Sequence, residues 1–560
     1  MGNAALYLNP EAFNTGLPAL MGRQSAGESF LKGYLRHSTA DDFHFWNVAN
    51  AAPHTLQGFI EAIGSIGKPM TVIPRHDRRQ LGAAGNAFLP SPNLARESWH
   101  RRVANCTEAY GITGITHTTA SDNIMDALAD MLTAPVEPWD TLICTSSAVR
   151  ASVEVELEAV RADLEERVGA RRLGEPQLAT IPLGINVDDF ATTGDDRARW
   201  RNQLGIADEA VVVLYVGRFN PHAKMNPLPM ALALEQAAQI AGKPIAWVQA
   251  GWGLSETQEK AYHDQTRALC PSVDYHVVDA RKPDARFSIW SVGDIFISLS
   301  DNIQETFGLT PVEAMAAGIP CVVSDWDGYR DTIRHGIDGF RASTYAPKAG
   351  AGQDLAYQYA NQWISYDTYA GATSQLIAVD VVEAARALAD LVSNPDLRKR
   401  MGQAAAARAR DTFDWKVVIP QYEALWAEQT RRRLASAGRV ARPRNLAPHP
   451  RRLDPFLLFG GYASEWLTSS TMVTLRPGTD EAALAAIRGL SLAVYGSHAL
   501  PTTSELTLLI ERLSRVRQIT VGELVGVFPA GRRPFVERGV LYLAKYDLVR
   551  ILPRSDVIAR

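Results

Sequence analysis

The sequence predicts an α/β protein with two doubly wound domains facing a cleft, followed by a small, mostly helical C-terminal domain. Short β-branched runs alternate with longer amphipathic segments, a pattern typical of a parallel sheet flanked by helices. This alternation occurs twice along the chain. The 560 residues are also too many for one compact core, so two or three domains are expected.

The first series of strand-like runs ends near Phe190, with a helical segment from Ala148 to Val168 among them. A polar stretch with a short predicted helix follows, and the second series starts at Val211. We therefore predict one domain over residues 1–195 and another over 205–402. The first series reads AALYL, DFHFWNV, PMTVIP, GITGITH, TLICTS and QLATIPLG, and the second reads VVVLYVGR, IAWVQAGWG, VDYHVV, DIFISLS and PCVVSD.

The remaining segments have different compositions. Residues 347–380 are rich in Gly, Ala, Tyr and Gln and interrupt the second domain, which predicts a surface insertion. Residues 403–430 carry aromatic and aliphatic anchors at helical spacing and predict a helix that returns to the first domain. Residues 431–453 contain eight arginines and three prolines, a composition typical of a linker. Residues 454–560 have the helix and strand order of a winged-helix module, for which packing or oligomerisation is favoured over DNA reading.

Composition and charge indicate a globular protein without a general affinity for nucleic acid. Hydrophobic residues make up 46%, charged residues 21%, and the net charge is −4. Four widely spaced cysteines, Cys106, Cys144, Cys270 and Cys321, favour free thiols in a reducing compartment. Without an export signal or an apolar run of about 18 residues, a cytoplasmic location is expected. Peripheral membrane contact stays open.

The segment QETFGLTPVEAMAAGIP places two carboxylates, Glu305 and Glu313, around a predicted helix start. A strand precedes it and another follows, so its loop lies at the carboxyl end of a strand, where ligands collect and helix amides can bind phosphate. One alternative is local. Thr310 as N-cap and Pro311 in the first turn would let Glu313 close a capping box.

Two cations, Arg218 and Lys224, stand six residues apart just beyond the strand VVVLYV. Such a loop can aim both charges into a cleft, where they would stabilise charge that develops on a leaving phosphate. The alternative is that both are solvated loop charges. The nearby glutamate segment favours the functional interpretation.

Residues from about Ala4 to Gln429 resemble the nucleotide-sugar-dependent glycosyltransferases of the GT-B fold, in particular the retaining group 4. The resemblance rests on the order and spacing of VGRFNPHAK, QAGWG, ETFGLTPVEAMAAGIPCVVSDWDGYRDTI, HGIDGF and NPDLRKRMGQAAAARARDTFDW. It implies two Rossmann-like domains and transfer of a sugar from a nucleotide diphosphate donor to an unidentified acceptor. It also implies no cofactor or metal.

The resemblance also implies roles for single residues. Arg218 and Lys224 would stabilise the leaving diphosphate, Glu305 would approach the donor sugar hydroxyls, and Glu313 would hold the ribose diol. His117, at a strand end, would lie near the reacting carbon, and Gly27 would stand in the loop that opens the first helix, where the family has a double glycine. The remaining predicted donor contacts are loop amides, those of Thr306, Phe307, Gly308 and Leu309.

Several alternatives remain from the sequence. Asp325 and Asp327 fit a turn before a helix better than a metal site. A GT-B sugar phosphorylase or an epimerase is a rival enzyme, and a sugar-nucleotide-sensing regulator that uses the C-terminal domain is a rival from another class. We expect no nucleic-acid partner, and the C-terminal domain or the insertion offers a surface for homo-oligomers.

Overall fold

A computed structural model describes residues 2–10, 22–64, 66–253, 255–282, 284–438 and 446–552. The chain divides into two compact units, Met1–His449 and Pro450–Arg560. The first unit contains both predicted sheets, and the second contains the C-terminal helices.

The first sheet has seven strands, all parallel, in the order β3-β2-β1-β4-β5-β6-β7. Its central strands are buried along their whole length, as expected for a parallel sheet covered on both faces. The strands are β1 Ala5–Leu8, β2 Phe43–Asn47, β3 Met70–Pro74, β4 Asn86–Phe88, β5 Gly111–Ile115, β6 Thr141–Cys144 and β7 Gln177–Thr180. The helices are α1 Gly22–His37, α2 Pro53–Ile63, α3 Leu81–Ala84, α4 Leu94–Val103, α5 Asp122–Thr133 and α6 Ser147–Val168.

The second sheet has six parallel strands in the order β10-β9-β8-β11-β12-β13. Its strands are β8 Val211–Val216, β9 Ile245–Gly251, β10 Asp274–Asp279, β11 Ile295–Ser298, β12 Cys321–Ser324 and β13 Gly339–Ala342. Its helices are α7 Gly194–Leu204, which leads into β8, α8 Leu228–Ala241, α9 Glu256–Ala268, α10 Leu309–Ala316 and α11 Tyr329–Thr332. The two sheets confirm the predicted class of paired α/β domains.

The predicted insertion folds into two short helices between two short strands. The antiparallel strands are β14 Thr344–Tyr345 and β15 Ala378–Val379, and the helices are α12 Gln353–Ala360 and α13 Tyr366–Ser374. The paired strands close the base of the excursion, so both of its ends start from the same point of the second domain.

Three helices complete the first unit: α14 Val381–Ser393, α15 Pro395–Arg408 and α16 Trp415–Ala435. The last one returns to the first domain and packs on α1. Its Glu423 carboxylate accepts hydrogen bonds from Ser38 Oγ and Thr39 N, both at 2.7 Å. Thr113 Oγ1 on β5 donates to Gln429 Oε1 at 2.8 Å. Because these polar groups are buried and paired, they fix the helix in register against the first sheet.

The second unit is built around a three-stranded antiparallel sheet in the order β17-β16-β18. The strands are β16 Met472–Leu475, β17 Ile519–Thr520 and β18 Val549–Ile551, and the helices are α17 Pro455–Leu458, α18 Glu481–Arg488, α19 Ser491–Val494, α20 Thr503–Ser514, α21 Val521–Val525 and α22 Arg533–Lys545. The additional helical region is therefore present. Its classification as a winged-helix module stays a prediction.

Among the described residues, six strands are absent from the runs predicted by sequence: β4, β13, β14, β15, β16 and β17. They have two to four residues each, which is too short for a clear alternation of polar and apolar residues, so their pairing partners decide their conformation. Within the described ranges, no helix is both long and apolar enough to cross a membrane.

Candidate functional site

An ion pair between the two sequence motifs of the second domain forms the centre of the candidate site. Lys224 Nζ lies 2.6 Å from Glu305 Oε2. Lys224 belongs to the turn that follows β8, and Glu305 belongs to the loop between β11 and α10. These strands are neighbours in a parallel sheet, so their carboxyl ends bring the two loops together.

Glu305 also organises the loop that enters α10. Its Oε1 accepts hydrogen bonds from the backbone N–H groups of Thr306 at 3.3 Å and Gly308 at 3.1 Å. Burial by itself would raise the pKa of Glu305, but the Lys224 charge and hydrogen bond, together with loop amides, hold that pKa below its usual value. The carboxylate is therefore ionised at neutral pH.

Gly308 is the N-cap of α10 and adopts a left-handed backbone with φ +87°. A Cβ built there would lie 2.2 Å from Cε1 of Tyr329. Tyr329 is itself fixed by a 2.8 Å hydrogen bond between its hydroxyl and Ser298 Oγ. Glycine is thus required on two grounds, backbone conformation and close approach to a fixed ring.

Glu313 is a partly buried carboxylate on α10, and among the described residues its side chain has no hydrogen-bond partner. Burial raises its pKa to about 7, against the smaller opposing charges of Arg286 and Lys224. The N-cap is Gly308 and carries no side-chain cap. The alternative that Glu313 closes a capping box on Thr310 is therefore wrong, because α10 begins at Leu309, before Thr310.

Arg218 lies in the loop after β8, partly exposed. Tyr215 OH donates a 3.3 Å hydrogen bond to its backbone carbonyl. Within the part of the chain that the structure describes, its guanidinium forms no hydrogen bond or ion pair. The group is therefore available for an anion.

Residues of both domains meet across the cleft close to Glu305. Thr306 Oγ1 donates to the backbone carbonyl of His117 at 3.3 Å, and Thr145 Oγ1 donates to the carbonyl of Thr306 at 3.4 Å. Asp331 accepts from Ser147 N at 2.6 Å and Ser147 Oγ at 2.7 Å, and so places a carboxylate on the N-terminus of α6. The structure therefore brings His117, two residues past the end of β5, next to the Glu305 loop.

The insertion supports the same loops from outside. A Cβ at Gly371 of α13 would lie 2.8 Å from His222 Nδ1, in the turn that carries Lys224. Ser374 Oγ donates to Asp301 Oδ1 at 2.7 Å, and burial raises the pKa of Asp301 to about 6 despite that bond. On the other side of the cleft, Asp122 N donates to Tyr359 OH at 2.8 Å. The insertion thus contacts both domains.

One predicted site residue, Gly27, has a position that differs from expectation. Gly27 lies inside α1, five residues after its start at Gly22, so it is a helix residue and not a loop glycine; residues 11–21 before the helix lie outside the described ranges. The Phe307 side chain belongs to the core and packs edge-on against Phe413. It can offer only its amide. Leu309 is the first residue of α10.

The two aspartates of SDWDG lie in the turn before α11, as predicted. Asp325 Oδ1 is 3.1 Å from Arg341 Nε, and Asp327 accepts from Ser146 Oγ at 3.3 Å. Burial, followed by the charge of Glu305, raises the pKa of Asp327 well above its usual value. Among the described residues, no group of three or more His, Cys, Asp or Glu side chains is arranged to hold a metal ion.

The family profile described as Glycosyl transferases group 1 matches residues 196–353, which include Arg218, Lys224, Glu305 and Glu313. Over this segment the chain is similar to the group 1 glycosyltransferases, and the match confirms the resemblance to glycosyltransferases there.

Two curated relatives illustrate the similarity in sequence. The D-inositol 3-phosphate glycosyltransferase of Streptomyces scabiei is 27% identical over 298 residues, which are 52% of this chain and 56% of that protein. The lipopolysaccharide 1,2-N-acetylglucosaminetransferase of Salmonella typhimurium is 25% identical over 196 residues, 34% of this chain and 48% of that protein. The chain thus spans about half the length of these relatives.

Among solved structures, Anabaena HepE in complex with UDP and glucose is similar at 16% identity with a TM-score of 0.49, over 76% of this chain and 99% of that one. The sucrose-phosphate synthase of Thermosynechococcus elongatus is similar at 16% identity with a TM-score of 0.46, over 77% and 99%.

Sequence reasoning missed two residues at this candidate site. Arg286 Nη2 lies 3.5 Å from Glu28 on α1, across the cleft, and its charge acts on Glu313. Asn302 is buried and donates to the His222 carbonyl at 2.8 Å. Arg286 lies in a polar loop without a recognisable motif, so nothing in the sequence marked it as a site residue. Asn302 is only three residues before Glu305, so the argument that placed Glu305 at the carboxyl end of a strand also applied to Asn302.

Proposed function

We propose that this chain transfers a glycosyl group from a nucleoside diphosphate sugar to a hydroxyl of an acceptor, with retention of anomeric configuration. The observation that carries the proposal is the Lys224–Glu305 pair at 2.6 Å, in a cleft where the second predicted cation, Arg218, lacks an anionic partner among the described residues. Two cations beside a helix N-terminus suit a diphosphate. The group 1 family match over the same residues supports this.

In the proposed reaction, the bond between the anomeric carbon and the diphosphate oxygen breaks, and its electron pair stays on that oxygen. Arg218 and Lys224 stabilise the charge that develops there. The acceptor oxygen forms the new bond on the same face of the sugar, and its proton passes to the departing diphosphate. In this proposal the residues act by placement and charge, and none of them is assigned the role of a nucleophile.

The predicted glutamates, the loop residues after Glu305 and His117 have proposed parts in donor binding. Glu305 lies close to the sugar hydroxyls while it holds Lys224 in place, and Glu313 accepts from the ribose diol. The amide of Leu309 faces the diphosphate or the sugar, whereas the amides of Thr306 and Gly308 act through Glu305, because they donate to its carboxylate. His117 lines the opposite wall through the loop that Thr306 contacts.

A ligand screen followed by a product assay tests the proposal. The melting temperature is measured with UDP-, GDP-, ADP- and TDP-sugars, since ligand at 100 times its Kd stabilises a folded protein by about 2.7 kcal/mol. The donor that raises it is then incubated with the protein, and release of the nucleoside diphosphate is followed. Lys224→Ala is the matched inactive variant. A sugar nucleotide that binds but is never consumed with any acceptor class would favour a sensor, and the absence of any shift would refute the donor site.

A further inference from the structure

The second unit displays a run of apolar side chains that its own core does not use. Phe456 and Leu457 of α17 are each 71% exposed, Tyr462 is 86% exposed and Trp466 is 66% exposed. The core of this unit is formed by other residues, from Val473 to Val549. Contiguous apolar side chains at such exposure mark an interaction surface and not an ordinary solvated one.

This run has a defined local fold. Asp454 caps α17 by accepting from the amides of Phe456 and Leu457. The rings of Phe459 and Tyr462 lie 5.4 Å apart, centroid to centroid. The backbone of this run is therefore held by a capped turn and one pair of rings is in contact, so its backbone is already ordered before the surface is covered.

The sequence immediately before the run is strongly basic. Residues 431–452 contain eight arginines and no aspartate or glutamate. Arg451 and Arg452, the last two of them, are exposed, and the four-residue separation of Arg452 from Phe456 spans at most about 14 Å. Cations next to exposed aromatic and aliphatic side chains match the two layers of an anionic bilayer surface, charged headgroups above acyl chains.

We propose that residues 451–466 form a docking surface for anionic lipid bilayers, with Arg451 and Arg452 at the headgroups and the side chains of Phe456, Leu457 and Trp466 below them. Tyrosine and tryptophan are the side chains favoured at that boundary. A nucleic acid would pair with the arginines but would leave the adjacent leucines without an apolar partner. A second copy of this chain, docked through the same surface, would place arginines against arginines, and their like charges would repel. The inference is independent of glycosyl transfer.

Cosedimentation with vesicles tests the surface in the full chain. Vesicles of phosphatidylcholine with about one third phosphatidylglycerol are compared with vesicles of phosphatidylcholine alone, at low and high salt. The protein is expected to sediment with the anionic vesicles and to be released by salt. The double variant Phe456→Ser with Leu457→Ser should weaken vesicle binding by at least about tenfold. The double variant Arg451→Gln with Arg452→Gln should weaken vesicle binding by about fivefold for each arginine removed.

Matched variants of the same unit serve as controls. Leu492→Ser with Tyr495→Ser removes side chains that are 82% and 80% exposed but lie outside the run, and Arg550→Gln removes another exposed arginine. Both should bind as the wild type does. Brominated lipids quench the fluorescence of a tryptophan that inserts into the bilayer. The wild type should therefore show quenching from Trp466, and Trp466→Phe should lose that part of the quenching. This signal reports insertion independently of affinity.

Four results would overturn the proposal. The first is that the protein does not sediment with anionic vesicles, and the second is that the control variants lose as much binding as the test variants. The third is that the Phe456 and Leu457 variant changes its oligomeric state but still binds vesicles normally. The fourth is that the protein binds duplex DNA and the Arg451 and Arg452 variant abolishes that binding. Melting temperatures equal to that of the wild type establish that each variant is folded.

Discussion

Glu313 offers the sharpest test of the donor site, because a ligand-binding carboxylate and a structural one respond oppositely to Glu313→Gln. Its pKa is raised from 4.5 to about 7 by burial, so in the folded protein it holds a proton more tightly than in the unfolded chain. Stability should therefore fall as pH rises from about 4.5 to about 7. Keeping the carboxylate ionised costs at most about 3 kcal/mol.

Two consequences follow for the glutamine variant. Without ligand, Glu313→Gln should melt at a higher temperature than the wild type at about pH 8, and the difference should vanish at about pH 5, where the glutamate is protonated. With ligand, it should bind the donor more weakly by about 1 to 3 kcal/mol, because an ionised acceptor to the ribose diol has been lost. A gain in stability together with a loss of affinity is the signature of a preorganised binding residue.

The pH dependence of donor affinity shows how much the ionised form of Glu313 contributes to binding. With a pKa of about 7, the carboxylate is about 10% ionised at about pH 6 and about 90% at about pH 8, so affinity should rise about tenfold across that range. Calorimetry with an intact nucleotide sugar is the appropriate assay. Its diphosphate is esterified at both ends, so the ligand itself does not titrate between about pH 6 and about pH 8. Glu313→Gln should remove the pH dependence.

Two results would refute this reasoning. If Glu313→Gln lowers the melting temperature at about pH 8 and leaves donor affinity unchanged, Glu313 is a structural residue. If the tenfold pH dependence persists in the variant, another group titrates, and the raised pKa of Asp301 makes Asp301→Asn the next variant to measure.

Three further predictions concern the loops and the domain boundary. Lys224→Ala should reduce turnover by roughly 100-fold or more. Arg281→Ala removes a cation that is paired with Asp279 at the end of β10 and should leave the rate unchanged; equal rates for Lys224→Ala and the wild type would contradict the assignment. Gly308→Ala should destabilise far more than Gly336→Ala, which shares a positive φ but meets no atom within 4 Å, and equal melting losses in a denaturation series would show that contact with the facing ring is unimportant. A chain ending after His449, the last residue of the first unit, should bind the donor with unchanged affinity by calorimetry; lost affinity in a folded product would make the second unit part of the site.

Local sequence patterns were sufficient for the parallel sheets. The buried runs such as FHFWN of β2 and VVVLYV of β8 can be covered only by helices on both faces, so their alternation with amphipathic segments predicts the class. The same reasoning placed His117, Arg218 and Glu305 at the carboxyl ends of strands, because parallel strands collect their loops at one edge. Strand β4, with three residues, was beyond this reasoning because pairing with β1 and β5 determines it.

Contacts between distant segments were decided only by the tertiary structure. Lys224 and Glu305 are 81 residues apart in sequence, and nothing local indicates that they form an ion pair. Nor does the local sequence indicate that the charge of Arg286 acts on Glu313, or that the insertion reaches Asp122 on the other domain. Sequence alone also left Glu313 between two roles, since its spacing from Thr310 fits a cap; the backbone start of α10 at Leu309 removed that role. The physical reason is common to these cases. Periodicity and turn chemistry act over a few residues, whereas burial, charge pairing and pKa depend on what the completed fold places around each side chain.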